Sequence, residues 1–228
     1  MQTSLPSDSE FWEKFARHIA HQLSNPIASI SASAYLLDEI SHDGEADERT
    51  AALEPFIASI REDSARLKAL VDEFKRFFST NSILPNKVDI LGLLRLWSLD
   101  WKERGISVDI VCDEEQSSVM ASLDAGILQS AFLLLVDELS DLKLPEWKML
   151  VNSNGATVKL SLKLVGELPN VENEYIEQFF ELNPSRQGAG LGLRMPTFRR
   201  VIELHEGTVN LPKLTEVFAI EICLPSAG

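Results

Sequence analysis

His21-Gln22-Leu23-Ser24-Asn25-Pro26-Ile27 lies inside a long apolar periodicity, and the register of that periodicity decides how the first third of the chain folds. Trp12, Ala16, Ile19, Leu23, Pro26, Ile30, Ser33, Leu37 and Ile40 alternate spacings of four and three. Such a repeat keeps one stripe of a helix facing a partner helix. With Ala16 and Leu23 at heptad position a and Ile19 at d, His21 falls at f, the most exposed position. Asn25 lies one turn further along the same surface. Pro26 has no N–H, leaves the Gln22 carbonyl without its helical donor, and predicts a bend just past the histidine. His18 falls at c, also exposed.

Working outward, Pro6 and Ser7-x-x-Glu10 read as a helix start, the serine and glutamate capping each other. Gly44 and its polar neighbours, His42 among them, read as a hairpin loop. A second seam follows in Leu53, Ile57, Ile60, Ser64, Leu67, Val71, Phe74 and Phe78, widened by Phe56, Leu70 and Phe77. Pro55 is awkward inside a helix, so the regular part is expected to begin there. Two such helices cannot cover their own wide apolar faces. A homodimer forming a four-helix bundle is the expected solution.

The chain has 228 residues, 45% of them hydrophobic, and a formal net charge of −14. The apolar share supports real cores, and the acidity argues against nucleic acid and anionic membranes as partners. No apolar run approaches the ~20 residues of a membrane span, and the charged start is no signal peptide. Cys112 and Cys223 end strand-like runs and read as buried thiols in a reducing, cytoplasmic setting.

Ser79 to Pro85 reads as a linker, giving expected domains 1–80 and 81–228. Beyond it come a strand near Lys87–Asp89, a helix from Ile90 to Arg104, strands at Ile106–Val111 and Val119–Ser122, and a helix from Asp124 to Leu139. Strands at Met149–Val151 and Thr157–Leu164, a short helix at Glu172–Phe180, a helix at Leu191–His205 and strands at Gly207–Leu211 and Phe218–Cys223 complete the reading. Mixed elements of this kind suggest one sheet against helices. Gly188, Gly190 and Gly192 precede the last long helix, where a backbone can approach a ligand closely and helix N–H groups can meet phosphate.

The stretch from His21 to Ile27 resembles the phosphoacceptor motif of bacterial histidine kinases, with Gln22 where an acid is normal. Gly188-Ala189-Gly190-Leu191-Gly192-Leu193 resembles the glycine box of their ATP-binding domain. Phe179-Phe180-Glu181 is similar to its phenylalanine box, and His205-Glu206-Gly207 to its His-Gly-Gly turn. The resemblance covers roughly residues 10 to 226. It implies a long helical hairpin in a dimeric four-helix bundle followed by an α/β sandwich ATPase-like domain.

It also marks departures. The family's paired asparagines align with Leu133 and Asp137. Asp137 can still hold a cation, although its charge repels phosphate. The aspartate that accepts the adenine amino proton aligns with Lys163, and a lysine has no acceptor. Gln22 cannot serve as a base beside the histidine.

The resemblance therefore implies a degenerate histidine phosphotransferase that needs neither nucleotide nor metal of its own. His21 would carry phosphate between receiver-domain aspartates, with Asn25 and Gln22 as positioning residues. Its partners would be response regulator receiver domains and an upstream histidine kinase. Two alternatives stay open: a cytoplasmic ATP-dependent kinase using Gly188, Gly190 and Gly192, and a pseudokinase scaffold. A receiver is expected to dock beside His21, near Ala20 and Ile27.

Overall fold

The computed structural model describes residues 9–41, 46–79, 82–112, 117–166, 178–181, 191–212 and 218–227. These fall into two compact units. One is the helical hairpin together with Leu191–Leu193; the other holds the remaining described residues from Ser79 onward.

Helix α1 (Ser9–Ser41) and helix α2 (Ala46–Ser79) form the hairpin. Helix α1 runs through Pro26, and α2 through Pro55. The expected start of regular helix at Pro55 is thus corrected to Ala46. Pro55 is exposed, and water can serve the carbonyl that lacks its donor there. The two helices are tied by Ser29, whose hydroxyl donates to the Asp63 carboxylate at 2.6 Å, with Ser59 at 3.5 Å from the same oxygen.

In α1 the apolar stripe lies where the spacing puts it except at Ala16, and only in the second half of α2 does it lie one position earlier than the spacing predicts. Phe15 is buried and Ala16 exposed; Asp63 is half-buried and Ser64 exposed; Leu70 and Phe77 are buried while Val71 and Phe74 are exposed. The large side chains at Phe15, Leu70 and Phe77 gain more by leaving water than Ala16 or Ser64 could, so they take the inner line. His18, expected at the surface, is half-buried.

The second unit contains β1 (Asn86–Asp89), α3 (Ile90–Glu103), β2 (Ser107–Cys112), β3 (Met120–Leu123) and α4 (Ala125–Asp141). It continues with β4 (Glu146–Ser153), β5 (Thr157–Leu164), α5 (Arg194–Leu204), β6 (Thr208–Asn210) and β7 (Ala219–Pro225). The expected single sheet is corrected to two. A five-stranded sheet runs β2-β4-β5-β7-β6, with β2 and β4 parallel and the other neighbours antiparallel. Strands β1 and β3 pair only with each other. Strand β3 passes straight into α4 through Asp124, and only a single bridge, Ala121 to Ser226, links it toward β7.

Other boundaries moved as well. Helix α5 starts at Arg194 rather than Leu191, and β4 is longer than expected at both ends. Most of the expected helix 172–180 lies outside the described residues; Gln178–Phe180 form a turn. Cys112 and Cys223 are half-buried rather than buried, and form no disulfide.

Alternation along the central strands lays Trp147, Met149 and Val151 of β4, Val158, Leu160 and Leu162 of β5, and Ile220, Ile222 and Leu224 of β7 into one core. The helices close it with linked aromatic rings. Trp101 stacks on Phe132, Phe132 meets Phe198 edge-on, and Phe198 stacks on Phe180. Phe179 links Phe180 to Phe218, which meets Trp147. Both aromatic residues of the phenylalanine box are buried parts of this core.

Candidate functional site: an exposed histidine and a divergent nucleotide region

His21 is exposed on α1, as its heptad position requires. Residues one turn away on a helix share its face, and here these are Arg17 and Asn25, both exposed. Arg17 donates from Nη2 to Glu13 Oε1 at 2.8 Å, an ion pair one turn further back. The face therefore presents a cation, an imidazole and an amide in a column. Gln22 does not share that exposure: it is half-buried, and its Oε1 is out of solvent with no partner among the described residues. His18 Nε2 is in the same condition. Pro26 is buried, and Ile27 is half exposed beside the column.

Apart from the glycine turn, the three positions aligned with the family's asparagines and adenine acceptor hold side chains with other work or other chemistry. Leu133 is a half-buried apolar residue packed against the core. Asp137 Oδ1 accepts from Arg104 Nη1 at 2.7 Å, which binds the body of α4 to the end of α3. Lys163 is exposed on β5, opposite Lys148 of β4 and Ala219 of β7. Neither an adenine acceptor nor an uncommitted magnesium ligand stands at these three positions. Among the described residues, no group of three or more His, Cys, Asp or Glu side chains could hold a metal ion.

Gly188 and Gly190 lie outside the described residues. Gly192 has φ +72°, a left-handed conformation that favours glycine. On either side of it, the N–H groups of Leu191 and Leu193 both donate to the carboxylate of Glu73 on α2, at 2.9 and 2.7 Å.

His205 has become structural. It is 2% exposed. Its Nδ1 lies 2.8 Å from the Val201 carbonyl, and its Nε2 accepts the Asp124 backbone N–H at 3.0 Å, so the ring hydrogen must sit on Nδ1. Asp124 in turn caps α4 through Ile127 N–H. Its carboxyl is held below the ordinary value of 3.8, chiefly by the N–H of Leu84. Desolvation opposes this, while the N–H groups of Ile127 and Gly126 and the nearby His205 favour it. Gly207 is required for a different reason: a Cβ there would lie 2.5 Å from the Cys223 carbonyl oxygen.

Sequence reasoning missed Arg17, Asp63 and Glu73. Arg17 was findable from its one-turn spacing to His21. Asp63 and Glu73 carry no local signal, since their partners are remote in sequence.

With this geometry in view, residues 11–82 match the His Kinase A (phospho-acceptor) domain. The fold is that of a histidine kinase core. The chain is similar to the Acinetobacter baumannii histidine kinase AdeS, at 13% identity and TM-score 0.55, over 91% of this chain and 98% of that one. It is similar to histidine kinase ThkA, solved in complex with response regulator protein TrrA, at 16% identity and TM-score 0.64. It also resembles full-length ShkA in complex with AMPPNP, at 19% identity and TM-score 0.58. It covers 93% of its own length but 61% of the ThkA chain, and 89% but 46% of ShkA. No helix of the described residues is long and apolar enough to cross a membrane.

Proposed function

We propose that this chain is a histidine phosphotransfer protein of two-component signalling, carrying a phosphoryl group on His21 between receiver-domain aspartates. The observation that favours transfer over ATP-driven autophosphorylation is the contrast within one fold. His21 stands exposed in the segment that matches a phosphoacceptor domain, while Asp137 is committed to Arg104 and an exposed lysine, Lys163, stands where the resemblance would put the adenine acceptor. A receiver that brings its own magnesium needs from this partner only in-line access and charge screening.

The step balances without a further reactant. A lone pair on an imidazole nitrogen attacks phosphorus, the N–P bond forms, and the acyl–O–P bond breaks to return the receiver's aspartate as carboxylate. The hydrogen on the other ring nitrogen leaves to water. The phosphoramidate keeps a high transfer potential, so the reverse sequence can load a second receiver. Asn25 would hydrogen-bond the phosphoryl oxygens, and Arg17 can exchange Glu13 for the incoming charge. Gln22, half-buried, would act on the packing around His21 and cannot act as a base.

A response regulator as partner is supported by the ThkA neighbour, whose structure contains TrrA. A homodimer is supported by the hairpin's exposed apolar residues Ile27, Leu36, Val71 and Phe74, which a second copy would cover. Light scattering should then give twice the 25.4 kDa of one chain. A cytoplasmic setting follows from receivers as partners. The second reading, an ATP-dependent kinase, is favoured by one observation: the ShkA neighbour was solved with AMPPNP.

The test uses receiver domains charged with acetyl phosphate and purified from it. Label should pass to the wild-type chain without ATP and fail to pass to His21→Gln. Transfer that survives His21→Gln would sink the proposal.

A further inference from the structure

Outside the His21 column, the described contact with the most specific geometry is the carboxylate of Glu73 at the glycine turn. Glu73 Oε2 accepts from Leu191 N–H at 2.9 Å and Oε1 from Leu193 N–H at 2.7 Å. Leu191 and Leu193 are 1% and 0% exposed, so water cannot readily replace the carboxylate. Gly192, with φ +72°, lets both neighbouring amides converge on one group. Helix α5 begins immediately after, at Arg194.

Converging backbone N–H groups at a helix start select an anion. The geometry therefore shows an anion cradle that is already filled, and filled by the chain itself. Both oxygens of one carboxylate are used, one for each amide. An external phosphate oxygen would need the same two donors and cannot share them with Glu73.

We propose that Glu73 is an autoinhibitory latch: its carboxylate occupies the glycine turn in place of a phosphate group and keeps external phosphates out. The latch also fastens the turn to α2, on the same helix as the Asp63 that holds the hairpin's register. Movement of α2 at Glu73 would open the turn, and filling of the turn by an anion would free α2. This does not depend on whether His21 carries phosphate, and its failure would leave the transfer proposal standing.

The test compares the full-length chain with Glu73→Ala, Glu73→Gln and a control, Asp72→Ala, whose side chain takes part in neither bond. Thermal melts establish that each variant is folded. Hydrogen exchange at Leu191 and Leu193 should quicken at least tenfold in Glu73→Ala, change less in Glu73→Gln, and stay unchanged in Asp72→Ala. Inorganic pyrophosphate, titrated by calorimetry, should bind Glu73→Ala at least tenfold more tightly than the wild type. Unchanged exchange at the two amides would overturn the latch. Equal pyrophosphate affinity in wild type and Glu73→Ala, or none in either, would overturn the inhibition.

Discussion

The two units differ in what likens them to histidine kinases: the hairpin matches a phospho-acceptor domain, while the sheet unit shares the fold. Along α1 the exposed column of Arg17, His21 and Asn25 sits in a segment that matches a phosphoacceptor domain. The sheet unit shares the fold of histidine kinase neighbours, and several of its polar side chains hold structural contacts. Asp137 holds Arg104, His205 ties Val201 to Asp124, and the phenylalanine box fills the aromatic core. The difference teaches that the packing that maintains a fold and the side chains that would carry its chemistry are separate parts of the sequence. Leucines and aromatics maintain a sandwich whether or not a nucleotide is ever bound.

Predictions that break or sharpen this contrast can be ranked by size. His21→Gln should abolish acceptance of phosphate from a charged receiver while leaving the melting temperature unchanged, since an exposed side chain carries little packing. Phe132→Ala should cost about 3–5 kcal/mol of stability by denaturant titration, the usual range for emptying a buried aromatic site. Below its melting transition it should still accept phosphate on His21; loss of transfer in the folded variant would tie the chemistry to the sheet unit after all. Asp63→Ala should cost about 1.5–3 kcal/mol, because a charged acceptor that crosses the hairpin is lost.

Asp124→Ala should cost about 1 kcal/mol through its helix cap. The sign of its pH dependence follows from a folded pKa below the ordinary 3.8. The carboxylate's contribution is fully present above that ordinary value and is lost as the pH falls through the lower one. The gap between wild type and Asp124→Ala should therefore close on acidification; a gap that widened would contradict the geometry. Arg17→Ala, removing one exposed charge, should slow transfer only about two- to fivefold, in line with ~0.4–1 kcal/mol for exposed ion pairs.

Much of the fold was legible because it rests on periodicity. The apolar stripe of α1, the start of α4 near Asp124 and the bounds of β5 follow from spacing between near neighbours. What escaped depended on distant partners. No local rule places Asp63 rather than Ser64 on the inner face of α2, because the choice is made by Ser29 on the other helix. Separation of β1 and β3 from the main sheet is likewise a matter of which edges meet. His21 could be found from its motif and heptad position, but Gln22 shows where that reading stopped: it is half-buried, which the motif does not report. Glu73 was invisible for the same reason, its two partners lying more than a hundred residues away.

The central claim is that phosphate reaches His21 from a receiver rather than from ATP. Its most direct measurement is incubation of the purified chain with γ-labelled ATP and magnesium, beside a control histidine kinase. The account predicts no label on the wild-type chain while the control is labelled. Acid-labile label that appears on the wild type and is lost in His21→Gln would show autophosphorylation and contradict it.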